Sequence, residues 1–321
     1  MIELSRYKVS HQKSWEKLVA KSNNGTIFHL RSFLNYHPKA RFKDHSLIAM
    51  KNGKLFSVFP ASEKVIIGRK YLVSHPGASM GSFVVPENLS IADSIALVES
   101  LIKYSKNNKI DGIRITLPPN LYQVKPSNYM DYAFFRNKFR YLKREVTSIL
   151  FLEDNLKKTL DKFRPSHRRS INKALSVGVK VVQTEDFITF YEILKNNLKI
   201  RHGVEPTHTI QELESIKSLF PNKCNLFGAY VNGKMIAGVV NFIINNHVVL
   251  AFYIGHNEKF SEYRSVNLLF YTIFEWAIKE GYSIYDFGIF TVNGEPNMGL
   301  GRFKENFGAS GIYRDTIALE L

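Results

Sequence analysis

The chain has 321 residues, 45% of them hydrophobic and 22% charged, which excludes a disordered chain and suits two globular domains better than one core. Its formal charge is +16, and the single cysteine, Cys224, excludes an internal disulfide or a cysteine-based zinc site. No apolar run reaches the roughly 18–20 residues that span a bilayer, and the polar start "MIELSRYKVSHQKSW" has no signal-peptide core, so a cytoplasmic protein is expected.

The charge is uneven. Residues 1–145 hold 24 Lys+Arg against 10 Asp+Glu, whereas residues 146–321 hold 20 against 18. A positive first half fits an anionic partner such as nucleic acid, a phosphorylated substrate or an acidic membrane surface, and equally a solvated lysine-rich surface.

In chain order, "AMKNGKLFSVFP" (49–60) reads as two strands closing on Asn52-Gly53, a pair suited to a type I′ hairpin. Further strands lead to "SIADSIALVESLIKYSKNN", where Ile91, Ile95, Val98 and Ile102 keep helical spacing behind a cap of Ser90 and Asp93. "KIDGIRITLPP" follows as a strand. "FFRNKFRYLKRE" (134–145) interleaves Arg136, Lys138, Arg140, Lys143 and Arg144 with aromatics. It is expected to be an amphipathic linker helix, with contact to an RNA backbone or a lipid-carrier headgroup as the functional alternative.

"SILFLE" (148–153) opens the second half as a strand. A helix begins at Pro165 and stops near Gly178, and "VKVVQ" reads as a strand. Helices at 186–201 and 209–219 precede strands at 225–231, 234–244 and 247–255, the first two joined by Asn232-Gly233. "SVNLLFYTIFEWAIKEG" (265–281) is apolar nearly all round and should be buried, and "YSIYDFGIF" is the strand after it. The recurrence of Asn-Gly-Lys, and of Asp111 as Asp286, in the same order implies a duplicated α/β unit with mixed, largely antiparallel pairing. The boundary is expected within 125–147, giving units of 1–145 and 146–321.

That order resembles the GCN5-related N-acetyltransferase (GNAT) fold, and a tandem pair resembles the FemAB-like superfamily. The resemblance rests on "IFHLRSFLNY" (27–36), "YLVSHPGASMGSFVV" (71–85), "GIRITLPP", "HRRSINKALSVGVKV" and the ending "YDFGIF…GLGRFKENFGA". It implies a cytoplasmic acyl- or aminoacyltransferase acting on an amine of a cell-envelope, peptidoglycan or surface-glycan precursor. The donor would be acyl-CoA or aminoacyl-tRNA, with no tightly bound cofactor. The acceptor would be phosphorylated or lipid-linked, with tRNA and the inner membrane surface as further partners. The later unit would hold the donor and the earlier one the acceptor, and the final strand "IYRDTIALEL" would cross back to the first unit. The glycines of the acetyltransferase pyrophosphate loop are missing from "EYRSVNLLF", which retains Arg264.

Acyl transfer to an amine needs a positioned neutral amine, a proton acceptor and donors for the developing oxyanion. The resemblance puts Lys304 of the Phe303-Lys304 pair near the transfer centre; on residue type alone it reads as a helix-surface lysine. Arg302 sits two positions away and would face elsewhere. Asp286, a carboxylate inside an apolar strand, is either a base or a structural tie. Tyr285 and Tyr253 are candidates for proton relay. Arg168 and Arg169 suit a phosphate, Arg201 resembles a position near the acceptor, and His75 and Ser79 lie in a glycine-rich stretch able to receive an anion. Solvated faces and a strand bend are the plainer readings of these. The alternative for the whole chain is a non-catalytic RNA- or membrane-binding protein on a GNAT-like fold.

Overall fold

The computed structural model describes residues 2–321 and divides into two compact units. One comprises the chain through Glu145 together with Tyr313–Leu321, and the other is Val146–Ile312. Both are α/β, with mixed, mostly antiparallel sheets flanked by helices.

The first unit contains β1 (Ile2–Arg6), α1 (Gln12–Ala20), α2 (Arg31–Leu34), β2 (Lys43–Asp44), β3 (Leu47–Lys51), β4 (Lys54–Phe59), β5 (Ala61–Ile66), β6 (Arg69–Ser74), α3 (Ile91–Asn107), β7 (Gly112–Thr116) and α4 (Tyr129–Arg136). Strand β8 (Arg140–Phe151) carries the chain into the second unit. There follow α5 (Leu156–Asp161), α6 (Pro165–Ser176), β9 (Lys180–Thr184), α7 (Phe187–His202), α8 (Ile210–Leu219), β10 (Cys224–Val231), β11 (Lys234–Ile243), β12 (Val248–His256), α9 (Ser265–Lys279), β13 (Ile284–Ile289), β14 (Thr291–Val292), β15 (Glu295–Pro296) and α10 (Met298–Glu305). The last strand, β16 (Ser310–Glu320), returns to the first unit, where Thr316–Glu320 pair antiparallel with β7.

Local chemistry explains the boundaries. Ser90 Oγ accepts the Asp93 amide to cap α3, and Thr209 and Glu212 form a reciprocal box at α8. Pro165 occupies the first turn of α6, and Gly178 at φ +80° lets the chain leave it. The two recurring Asn-Gly pairs adopt the left-handed conformation at each position, with φ of 50° and 71° at Asn52-Gly53 and 49° and 74° at Asn232-Gly233.

In the second unit the strand order is β8-β13-β12-β11-β10-β9. Helix α9 buries Leu268, Leu269, Phe270, Ile273, Phe274 and Ala277 against Phe227, Val239, Val249, Tyr285 and Phe287. The first unit orders β2-β5-β6-β7-β16, with a separate β1-β3-β4 sheet, and packs α3 through Leu97, Val98 and Leu101 onto Leu72, Ile113 and Ile115.

Two expectations need correction. Residues 134–145 are not a linker helix: α4 ends at Arg136 and a strand begins at Arg140. Phe134 and Phe139 fill the first core, and the exposed basic residues that follow, Arg140 and Arg144, lie on the first half of β8. Nor is Asp111 the counterpart of Asp286. The third pair of the parallel β12-β13 ladder is Leu250 with Asp286, and the third pair of the parallel β6-β7 ladder is Val73 with Arg114. Asp111 precedes its strand and accepts the Lys70 amide there.

Candidate active site

Strands β12 and β13 are parallel and pair over only three residues, from Val248–Ile284 to Leu250–Asp286. Beyond that point β12 continues to His256 and β13 to Ile289 without pairing to each other. The result is a fork that opens toward the carboxyl ends of two parallel strands, where open α/β sheets bind ligands. Helix α9 starts after β12 and therefore presents its N-terminus at the same end, with Arg264 at φ 55° as its entry residue. Unpaired amides there favour an anion.

Asp286 stands at the vertex and is 2% exposed. Its Oδ1 accepts the hydroxyl of Thr147 and, at 2.6 Å, the amide of Gly288. Gly288, at φ +78°, makes the turn by which β13 departs from the ladder. Lys304 reaches the same turn from α10. Its Nζ donates to the carbonyls of Gly288 at 2.6 Å and Ile289 at 3.0 Å, and the residue is 1% exposed. Burial lowers its pKa from 10.5 to about 8, against an upward pull from Asp286. Two of the three ammonium hydrogens are thus occupied, and among the described residues no further hydrogen-bond acceptor is seen for the third, the Phe290 ring lying 5.9 Å from Nζ.

On the opposite face of β13, Tyr285 hydroxyl donates to Asn241 Oδ1 at 2.6 Å, and Asn241 Nδ2 donates to Asn225 Oδ1 at 3.0 Å. Tyr285 and Asn241 belong to strands that flank β12, where Ala251 is small enough to let the hydroxyl pass over. This tie joins β13 to β11 one residue before the fork. Burial raises the Tyr285 pKa well above its ordinary value, so it holds its proton and serves as a donor.

The other expected residues separate into two groups. Phe303 lies beside the vertex, its ring 6.0 Å from Phe270 and 5.4 Å from the buried His167. Tyr253 lies on β12 beyond the fork point, its hydroxyl 2.8 Å from His208 Nδ1, and burial raises its pKa to about 12. His208 had no signal in the sequence beyond its type. Arg168 is exposed and 3.5 Å from Asp161, and Arg169 and Arg302 are exposed on α6 and α10. The side chain of Arg201 lies outside the described residues. In the first unit, burial lowers the His75 pKa to about 4, so the ring is neutral and carries no charge for an anion. The carbonyl of Ser79 accepts from Arg314 at 2.6 Å. Neither belongs to the fork. Thr147 and Gly288 were not singled out by the sequence, although a glycine inside a strand pattern is a signal for a bend.

Residues 161–305 match the family model described as an acetyltransferase (GNAT) domain. Among solved structures the chain is similar to FemX, with a TM-score of 0.77 and 15% identity over 99% of this chain and 97% of that one. It is also similar to L-PGS from Bacillus licheniformis, with a TM-score of 0.59 and 10% identity over 97% and 91%. A tandem GNAT protein from the clavulanic acid biosynthesis pathway gives a TM-score of 0.57 and 12% identity over 100% and 98%. Among curated proteins, none matches the sequence significantly. The fork, the helix entering beside it and the domain match together define an N-acyltransferase-like enzyme with a GNAT domain over residues 161–305. More particularly, the fold over the whole chain is similar to that of FemX and of a tandem GNAT protein.

Proposed function

We propose that this enzyme moves an activated acyl or aminoacyl group from acyl-CoA or aminoacyl-tRNA onto an amine of a phosphorylated or lipid-linked cell-envelope precursor. The second unit takes the donor and the first, positively charged unit takes the acceptor. The observation that carries the reading is the parting of β12 and β13 beside a buried lysine whose pKa lies near 8. A donor entering the fork meets β12 beyond its last pair with β13, Leu250–Asp286, as its backbone partner. A donor phosphate is served by the α9 N-terminus with Arg264, and Arg168, Arg169 or Arg302 lie on exposed faces suited to a longer polyanion.

In the proposed reaction the neutral amine attacks the carbonyl carbon, and its oxygen becomes an anion. The third hydrogen of Lys304 is available to that oxygen or to the departing sulfur or ribose oxygen. The attacking nitrogen loses one proton as the carbonyl reforms, and the leaving group takes one up. A group with a pKa near 8 can relay it near neutral pH. Asp286 positions this apparatus by fixing Gly288, whose carbonyl orients Lys304.

The test is intact-mass detection of product after incubating the protein with acyl-CoA or charged tRNA and amine-bearing nucleotide-linked or lipid-linked precursors. One donor should give product, and Lys304→Ala should slow turnover by about a hundredfold, as loss of one oxyanion donor does. Folded protein that forms no product with either donor, or full activity in Lys304→Ala, would overturn the proposal.

A further inference from the structure

Four two-residue hairpin turns share one backbone geometry, with a left-handed residue followed by a left-handed glycine. Three of them use Asn-Gly, at Asn52, Asn232 and Asn293. The fourth joins β5 to β6 and uses Ile67-Gly68, with φ of 49° and 73° between the closing pair Ile66–Arg69. A β-branched residue in this conformation is strained, and asparagine is the residue the same chain places there otherwise. The isoleucine gains nothing from the fold in return, because it is 98% exposed, and Val65 beside it is 69% exposed. A strained, solvent-facing aliphatic side chain points to a use outside the folded chain.

The surroundings define that use. Lys64, Arg69 and Lys70 flank the tip in sequence, and Lys70 Nζ donates to the carbonyl of Asn108 at the end of α3. Lys106 and Lys109 are therefore at the same end of the unit. Asn137 lines a surface cleft with Lys106, which brings Lys138 there as well. Two carboxylates at this end are already engaged. Glu320 bridges Arg69 at 2.8 Å and accepts from the Tyr71 hydroxyl, and Asp111 accepts the Lys70 amide. An aliphatic tip with a basic collar matches the boundary between anionic headgroups and acyl chains. RNA is a poorer match, since Val65 and Ile67 offer no aromatic face on which a base could stack.

We propose that the β5–β6 hairpin tip is a membrane-docking element that inserts Ile67 and Val65 into an anionic bilayer surface while the lysine collar engages the headgroups. The proposal is independent of the transfer chemistry. It is tested by flotation of the purified chain with vesicles of phosphatidylcholine alone or mixed with phosphatidylglycerol, and by melting temperature. Wild type should float with the anionic vesicles, and added salt should weaken the association.

Ile67→Asn should bind about tenfold or more weakly, as expected for removal of one buried aliphatic side chain. The same variant should melt higher than wild type, because asparagine suits the turn. A role confined to folding cannot produce that opposite pair of shifts. Lys64→Gln should weaken binding to anionic vesicles by about fivefold and leave melting unchanged. The proposal is overturned by absent flotation of wild type or by unchanged binding in Ile67→Asn. Retention by RNA or by an acidic protein in place of vesicles would overturn it as well.

Discussion

The most exacting consequence of the site concerns the proton on Lys304. In the unfolded chain this lysine keeps its proton until about pH 10.5, whereas in the fold it releases it near pH 8. Between those values the unfolded state binds more protons, so stability must rise with pH across the window. The separation of 10.5 and about 8 corresponds to about 3 kcal/mol in all, gained at no more than about 1.4 kcal/mol per pH unit. Lys304→Met keeps the buried methylene stem and removes the titration. At pH 7 it also leaves the Gly288 and Ile289 carbonyls without their donor, a loss of about 1–3 kcal/mol. Urea unfolding followed through Trp276, which packs against the second unit's core, would be measured at half-unit steps from pH 7 to 10. The difference between wild type and variant removes the contribution of every other group. Wild type should gain on Lys304→Met steadily above pH 8. A difference that stays flat over that range would mean that Lys304 does not release its proton near pH 8 in the fold, and the reasoning about its chemistry would fall with it.

Tyr285→Phe should cost about 1–2 kcal/mol in urea unfolding, because the fully buried Asn241 carbonyl loses its hydroxyl donor. Gly288→Ala should cost about 1–2 kcal/mol through backbone strain alone, since the nearest atom to the added methyl is the Ala251 carbonyl oxygen at 3.7 Å. A much larger loss would indicate a clash that the geometry does not contain. In the first unit, burial lowers His29 to about 3 and His75 to about 4, so both stay neutral in the fold while the unfolded chain protonates near 6.5. Stability should be complete above pH 6.5 and fall as pH drops toward 4, by up to about 1.4 kcal/mol per unit for each ring. His75→Gln should flatten that acid limb.

The parts of the molecule visible in the sequence are those governed by local rules. Asn-Gly turns, the Ser90 cap, the Gly178 stop and the all-round apolar helix at 265–279 each follow from neighbours within a few residues. The departures arise where distant pairing decides. Asp111 and Asp286 look equivalent by spacing, yet ladder register assigns Arg114 to that place. The basic segment 134–145 has helical amphipathicity, but its second half becomes a strand, with Phe139 in the core and Arg144 bound to Asp315 at 2.9 Å. Lys304 reads as a surface lysine because nothing near it in sequence reveals the carbonyls of Gly288 and Ile289 that draw it inside.

The first unit also begins a parallel pair that stops after three residues, but there the gap is closed from within. The Thr116 amide donates to Ser74 Oγ, and the Gly81 amide donates to the Thr116 carbonyl. The chain has thus used its own backbone where, in its later repeat, β12 and β13 simply part. On the proposed function, a small activated thioester should accordingly saturate the polypeptide at one equivalent.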